Sequence, residues 1–282
     1  MRTILEILTL STDYLTRKGI LQPRLQAEEL VSQSLGLKRM DLYIQFDRPL
    51  VDEELSKCRD WLQRRGQGEP LQYIHGQVDF FDCMIKVTSA VLIPRQETEI
   101  LVDKISKVLA HETLANKVLW DICCGSGCIG IALKKRFPDL TVCLSDISAE
   151  ALTVAAENAK SNFVEVELLE GDLLLPFKEK FSDFVVCNPP YISEKEFSAL
   201  DIEVRAHEPR RALISGESGL EFYKRLANDL PSHLNSGSKV WFEIGANQGQ
   251  AVQSLFQGAF WKKCCVENDW SGHERFFSLE IE

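Results

Sequence analysis

The sequence predicts an α/β fold: a mainly parallel, doubly wound sheet behind a small N-terminal helical domain, with a connecting β-hairpin between the two. Three observations predict it. From Val118 onward, short apolar runs alternate with helical segments, the pattern of a parallel sheet with right-handed crossovers. Before Gly66 the apolar residues recur at helical spacing instead, and a stretch rich in β-branched and aromatic residues separates the two patterns. The 282 residues, 45% hydrophobic and 26% charged, suffice for one large and one small domain of an ordinary soluble protein.

The helical domain is assigned to residues 1–70. Ile4, Leu5, Leu8, Tyr14 and Leu15 fall on one face of a first helix that Gly19 stops. Pro23 opens a second, in which Ala27, Leu30, Val31 and Leu35 are expected inside and Leu25, Glu28 and Glu29 outside. A short third segment covers Asp41 to Phe46, and a fourth starts at Asp52 with Leu55, Cys58 and Leu62 at helical spacing. Gly66-Gln67-Gly68-Glu69-Pro70 breaks the pattern. Residues 71–93, with Gly76 and Asp82 as turn points, are expected to form the connecting hairpin.

Residues 94–282 are assigned to the sheet domain. Pro94 to Glu99 is a polar loop entering a helix over Ile100 to Leu109. Strands are then expected at Val118–Ile122, Thr141–Leu144, Val164–Leu169, Phe184–Cys187 and Lys239–Ile244. Helices are expected at Ile129–Phe137, Ser148–Ala159, Leu220–Leu230 and Gln248–Phe256. Two final strands, near Cys264–Glu267 and Phe276–Ile281, follow one another directly, which suggests an antiparallel edge strand.

Charge and cysteine content narrow the function classes. A formal net charge of -10 argues against a protein that lives on a polyanion, because phosphate contacts need a basic face. Residues 1 to 70 carry eleven charges of each sign, so the acidity belongs to the rest of the chain. The nine cysteines are odd in number and several sit in apolar runs, as free thiols of a reducing compartment do. No run approaches the length of a membrane span and no cleavage signal follows the short apolar stretch at Ile4–Leu10, so a cytoplasmic protein without membrane contact is expected. No metal is expected either: His75, His111, His207, His233 and His273 share no ligand or triad spacing.

The candidate site lies at the C-terminal ends of the strands, where open α/β sheets bind ligands. Asp121-Ile122-Cys123-Cys124-Gly125-Ser126-Gly127-Cys128-Ile129-Gly130 joins the first strand to its helix, and its glycines let backbone N–H groups approach a ligand closely. Asp146 ends the second strand, where a ribose-binding carboxylate belongs, and Gly171-Asp172 ends the third, within reach of an adenine amino group. Asp121 would repel a diphosphate and suits an α-amino group. The fourth strand stops at Asn188-Pro189-Pro190-Tyr191, a stiff platform of an amide oxygen, a proline carbonyl and a flat ring that fits a planar group carrying an NH2. Together these point to an adenosyl ligand with its reactive end over the platform. The Pro94–Glu99 loop has two readings, helix capping or, through Arg95 and Thr98, the substrate entrance.

With these motifs the chain resembles the class I S-adenosylmethionine-dependent methyltransferases, and more narrowly the peptide chain release factor glutamine methyltransferases (PrmC/HemK family). The resemblance covers essentially the whole chain. Besides the glycine turn and Asn188 to Ile192, it rests on Gly68 to Ile74, Leu92-Ile93-Pro94-Arg95-Gln96-Glu97-Thr98-Glu99, Val204-Arg205 through Glu208-Pro209, Ala212-Leu213, Glu243-Ile244-Gly245 with Gln248-Gly249, and Glu274-Arg275. It implies a Rossmann-like catalytic domain and a helical domain that helps dock the release factor, whose Gly-Gly-Gln glutamine is methylated on its side-chain nitrogen. It further implies S-adenosyl-L-methionine as donor and S-adenosyl-L-homocysteine as product. The donor would lie on Asp121, Cys123, Cys124, Gly125, Ser126, Gly127, Asp146, Asp172, Leu173 and Asn188. The substrate amide would lie on Asn188, Pro189, Pro190 and Tyr191, with Arg95 and Thr98 beside it. The chain departs from the family's Asp-x-Gly-x-Gly pattern at Cys123, which is expected to tune the site and not to abolish it. A monomer is expected, with no direct contact to nucleic acid. The alternative is a DNA or RNA exocyclic amino-group methyltransferase, because a base NH2 resembles a carboxamide on the same platform.

Overall fold

The computed structural model describes residues 2–282. They form two compact units: the chain up to Gly76 together with Asp201–His207, and Gln77–Leu200 together with Glu208–Glu282.

The first unit is helical. It consists of α1 (Ile4–Arg17), α2 (Pro23–Leu35), α3 (Asp41–Ile44), α4 (Asp52–Gly66) and α5 (Leu71–His75). Thr3 and Glu6 form a reciprocal capping box that starts α1, satisfying two of the helix's unpaired N–H groups. Ile4, Ile7, Leu8, Val31, Leu42, Leu50 and Cys58 make one core cluster, and Leu15, Ala27, Leu30 and Ile74 a second. Two expectations change here. Leu71–His75 is a helical turn and not strand, because Ile74 belongs in the helical core and Gly76, at φ 77°, ends the turn in the left-handed region. Leu25 is 42% exposed as expected for α2, but Glu28, expected outside, is 6% exposed. Arg24 Nε donates to Glu28 at 2.7 Å and Tyr43 Oη donates to the same carboxylate, so the acid is buried with its partners.

A later segment belongs to this unit. Residues 202–207 form a short helix that buries none of its own side chains. Its Glu203 accepts a hydrogen bond from Arg65, whose residue is 3% exposed. Arg65 also donates to Gln26 Oε1 at 2.6 Å and to the Glu69 carbonyl at 2.9 Å, so the buried guanidinium is paired on several sides.

The second unit opens with a hairpin, β1 (Gln77–Phe80) and β2 (Cys83–Lys86), turned by Phe81 and Asp82 at φ 42° and 62°. Then come α6 (Gln96–Leu109), β3 (Val118–Ile122), α7 (Cys128–Arg136), β4 (Thr141–Asp146), α8 (Ala149–Ser161), β5 (Glu167–Glu170) and β6 (Ser182–Cys187). An excursion carries β7 (Ile192–Ser193), α9 (Glu194–Phe197) and, beyond the 202–207 helix (α10), α11 (Arg210–Leu213) and β8 (Ile214–Gly216). The chain finishes with α12 (Glu221–Asp229), β9 (Leu234–Glu243), α13 (Gly249–Leu255), β10 (Trp261–Asn268) and β11 (Glu274–Ile281).

The central sheet has the order β10-β11-β9-β6-β3-β4-β5. Strands β9, β6, β3, β4 and β5 run parallel, whereas β11 is antiparallel to both of its neighbours. The reversed strand is therefore not the edge strand. β11 inserts between β9 and β10, and β10 takes the edge, because a tight return from β10 lets β11 fill the slot beside β9. All six residues of β6 are buried, as a strand covered on both faces requires. The adjoining core includes Trp120 stacked on Phe177 with ring centroids 4.0 Å apart, and Phe242 against Phe277. Among the described residues no helix is long and apolar enough to cross a membrane.

Candidate active site

A cavity of about 670 Å³ opens at the C-terminal ends of the parallel strands. The turn after β3 forms one wall. Cys123, Gly125 and Gly127 all lie in the left-handed region, at φ 58°, 53° and 76°. Gly127 needs its lack of a side chain: a Cβ would sit 3.0 Å from Ile131 Cδ1 and from Leu144 Cδ1. At Gly125 a Cβ would meet nothing within 4 Å, so that part of the turn is open. Asn158 of α8 donates to the Ser126 carbonyl at 2.9 Å and to the Lys86 carbonyl at 3.0 Å, tying the turn to the hairpin.

Asp146 ends β4 and lines the cavity. Its Oδ2 accepts from the Gly125 N–H and its Oδ1 from the Ser148 N–H, both at 2.9 Å. Burial raises its pKa, and these N–H groups oppose the rise. Asp172 and Leu173 also line the cavity, with Asp172 accepting from Arg225 Nη2 at 2.7 Å. Cys123, Cys124 and Ser126 also line the cavity on this side, whereas Gly127, expected among the donor-binding residues, does not.

Asp121 stands apart. It is 1% exposed and does not line the cavity. Its Oδ2 accepts the Gly130 N–H at 2.9 Å, while Oδ1 has no hydrogen-bond partner. Burial pushes this acid up to about 7, against the Gly130 hydrogen bond. In place of the direct ligand contact expected from sequence, it braces the start of α7 from behind the turn.

The opposite wall carries Asn188 and Pro190 at the end of β6, with Thr98 from the first turn of α6. Pro189 is buried and lies outside the lining. Tyr191 packs against the hydrophobic core and is likewise outside it, and burial raises its phenol pKa. Its carbonyl accepts from Gln248 Nε2 at 2.9 Å. The flat ring expected on the platform for the substrate amide is thus packed, half-buried, against the core. Arg95 is also absent from the lining. Its Nη2 donates to Glu208 Oε1 at 2.5 Å, and Glu208 Oε2 accepts the Ile93 N–H at 3.2 Å. Glu208 is buried, so the Ile-Pro-Arg segment and the Glu-Pro segment clamp each other, which favours the structural reading of that loop.

The cavity wall includes residues that sequence reasoning passed over: Val91 and Leu92 before the loop, Ile147 and Ser148 after β4, Arg211 and Ile214 in the excursion, and Phe222 and Arg225 on α12. Apart from Leu92, which opens the Ile-Pro-Arg segment, none carries a motif; they converge only through the folded chain. Glu243 was noticed as part of a motif but given no role. It is 1% exposed at the end of β9, accepts from Thr98 Oγ1 at 2.7 Å, and stands beside Asn188 across the ladder.

The comparisons with known proteins agree with this geometry. Residues 6–76 match the PrmC N-terminal domain and residues 96–216 the Methyltransferase small domain. A release factor glutamine methyltransferase of Chlamydia trachomatis is 44% identical over 275 residues, spanning 98% of this chain and 93% of the relative. That of Geobacter sulfurreducens is 40% identical over 273 residues, 97% of this chain and 95% of the relative. The chain belongs to the release factor glutamine methyltransferase family. Among solved structures, the hMettl16 catalytic domain in complex with MAT2A 3'UTR hairpin 6 aligns with a TM-score of 0.57 at 15% identity, covering 82% of each chain. The T. thermophilus 16S rRNA N2 G1207 methyltransferase aligns at 0.53 with 11% identity, covering 73% of this chain and 50% of that one. These likenesses show the class I methyltransferase fold, which this family member shares.

Proposed function

We propose that the chain transfers a methyl group from S-adenosyl-L-methionine to the side-chain amide nitrogen of the glutamine in the Gly-Gly-Gln motif of peptide chain release factors. The observation that carries this reading is Asn188, which stands in the cavity wall at the end of β6 with the buried Glu243 beside it. It is backed by relatives of the same family at 40–44% identity over nearly the whole chain.

The cavity fits the donor. Its volume lies in the range that holds a ligand of this size. The opening at Gly125 leaves room beside a turn whose N–H already meets Asp146, and Asp146 is placed for ribose hydroxyls. Asp172, Leu173 and Phe222 offer an acceptor and apolar surface for the adenine. When bound, the donor supplies an activated methyl group and most of the driving force.

The residues of the chain then have to position the acceptor and exclude water. A carboxamide nitrogen is a poor nucleophile because its lone pair is delocalised into the carbonyl. Asn188 Oδ1 and the Pro189 carbonyl each accept one N–H of the substrate amide, which fixes the nitrogen and stabilises positive charge developing on it. Pro190 keeps the platform rigid, and Tyr191 anchors it in the core. Docking of the protein substrate falls to the helical unit, where Met40 and Ile44 beside and within α3 are 65% and 73% exposed. The nine free thiols suit action in a reducing compartment such as the cytoplasm.

The test is incubation with labelled donor and a purified release factor beside its Gly-Gly-Ala variant. Label on the intact motif alone is expected. Label on both proteins, or on DNA or RNA instead, would sink the reading.

A further inference from the structure

In the parallel ladder between β6 and β9, Cys187 stands opposite Phe242. Asn188, just beyond β6, therefore stands beside Glu243, the last residue of β9, at the C-terminal edge of the sheet. Glu243 is 1% exposed, its carboxylate accepts from Thr98 Oγ1 at 2.7 Å, and the Asn188 side chain stands beside it across the ladder. An ionised carboxylate accepts and does not donate, so it is the NH2 end of the Asn188 amide that suits it. The two ends of an asparagine amide are nearly the same size and only their partners decide which way it points. Without such a partner, the NH2 could equally face the cavity and repel the N–H of an incoming carboxamide.

We infer that Glu243 is a positioning residue for methyl transfer: held by Thr98, it accepts the Asn188 NH2 and so turns the Asn188 oxygen toward the substrate amide. The inference rests on the reading of Asn188 as the acceptor for that amide. Glu243 lies outside the cavity lining and meets it through Asn188 and Thr98, both of which line it. Of these two, Asn188 is the residue that meets the substrate amide.

Replacing Glu243 by Gln keeps the shape but adds an NH2 that can donate to Asn188 Oδ1, so both orientations of Asn188 become satisfied. Glu243→Gln is expected to lower kcat for release factor methylation roughly tenfold or more while the donor Kd stays within about twofold. The same substitution in an Asn188→Ala background is expected to cause no further loss in single-turnover assays, because the residue it orients is gone. Wild-type kcat in Glu243→Gln, or an equal additional loss in the Asn188→Ala background, overturns the inference. Should Glu243→Gln fail to bind donor, Thr98 decides. Thr98→Val lowering kcat severalfold with Thr98→Ser restoring it supports the inference, whereas Thr98→Val at wild-type kcat, or Thr98→Ser no better than Thr98→Val, overturns it. A wild-type protein that labels no release factor overturns the functional reading and this inference with it; labelling by wild type with an unaffected Glu243→Gln removes the inference alone.

Discussion

The two walls of the cavity are built by different means. Around the glycine turn, polar contacts run between a carboxylate and backbone N–H groups close in the chain: Asp146 to Ser148, two residues apart, Asp121 to Gly130, nine apart, and Asp146 to Gly125, 21 apart. Around Asn188, side chains meet across the whole domain: Thr98 to Glu243 spans 145 residues and Arg95 to Glu208 spans 113. The first wall depends mainly on where the backbone turns, with Asn158 and Arg225 reaching in from farther along the chain, and the second on side chains held by other side chains. Substitutions on the second wall should therefore change the reaction, and substitutions on the first should change donor binding and stability.

The largest effect is expected at Asn188. Asn188→Ala removes a positioning acceptor and a stabiliser of developing charge, so turnover should fall about 100-fold or more while donor affinity falls much less. Asn188→Asp keeps an acceptor but brings a second carboxylate against Glu243, and should lose most activity too. Measuring turnover and donor binding on the same preparations separates the walls; Asn188→Ala at near wild-type rate would reduce the platform to a structural turn.

On the other wall, Asp146→Ala should weaken donor binding by roughly 1–3 kcal/mol, since hydroxyl partners and the Gly125 and Ser148 N–H groups lose their acceptor together. Asp146→Asn, which retains one acceptor oxygen, should lose less. Calorimetry that finds an unchanged dissociation constant for the alanine variant removes Asp146 from the ribose.

Asp121 should register in stability. Its folded-state pKa, about 7, lies above the value of an exposed aspartate, so the folded protein holds a proton that the unfolded chain releases. Stability is then fully present below about pH 4 as far as this group is concerned, and is lost as pH rises toward 7, with a slope of at most about 1.4 kcal/mol per pH unit. Asp121→Asn should flatten that slope in denaturant titrations across the interval, and an unaltered slope would assign it to other groups.

The smallest effect is expected at Cys123. Its φ of 58° costs a non-glycine residue about 1 kcal/mol, and its side chain packs against the core cluster that contains Cys187. Cys123→Gly relieves the first and loses the second, so the fold should survive with donor affinity kept or modestly improved. A clear loss of binding would mean that the thiol itself contacts the donor.

The same contrast explains what was legible beforehand. Asp146 and the glycine turn declare themselves through spacing after strands, because the βαβ unit fixes where a strand end and a helix start can be. The platform showed in Asn188-Pro189-Pro190-Tyr191 because proline punctuates the chain strongly. Glu243 had no such signal: a glutamate ending a strand gains meaning only once β9 lies beside β6. The local motif leaves Arg95 open to a structural or a site role and gives Tyr191 a site role, whereas their partners, Glu208 and the apolar core, are distant in the chain. The place of β11 inside the sheet was hidden for the same reason, since adjacency in sequence does not say which edge a hairpin joins.

The pairing of Arg65 with Glu203 has a consequence for biosynthesis. The two residues lie 138 positions apart, so the N-terminal helices leave the ribosome well before the acid that accepts from their buried guanidinium exists. At about 5–20 residues per second, that interval is on the order of ten seconds. During it, nascent chains carry a helical unit whose arginine still lacks one of its acceptors, and the unit reaches its final form only after most of the sheet strands have been made.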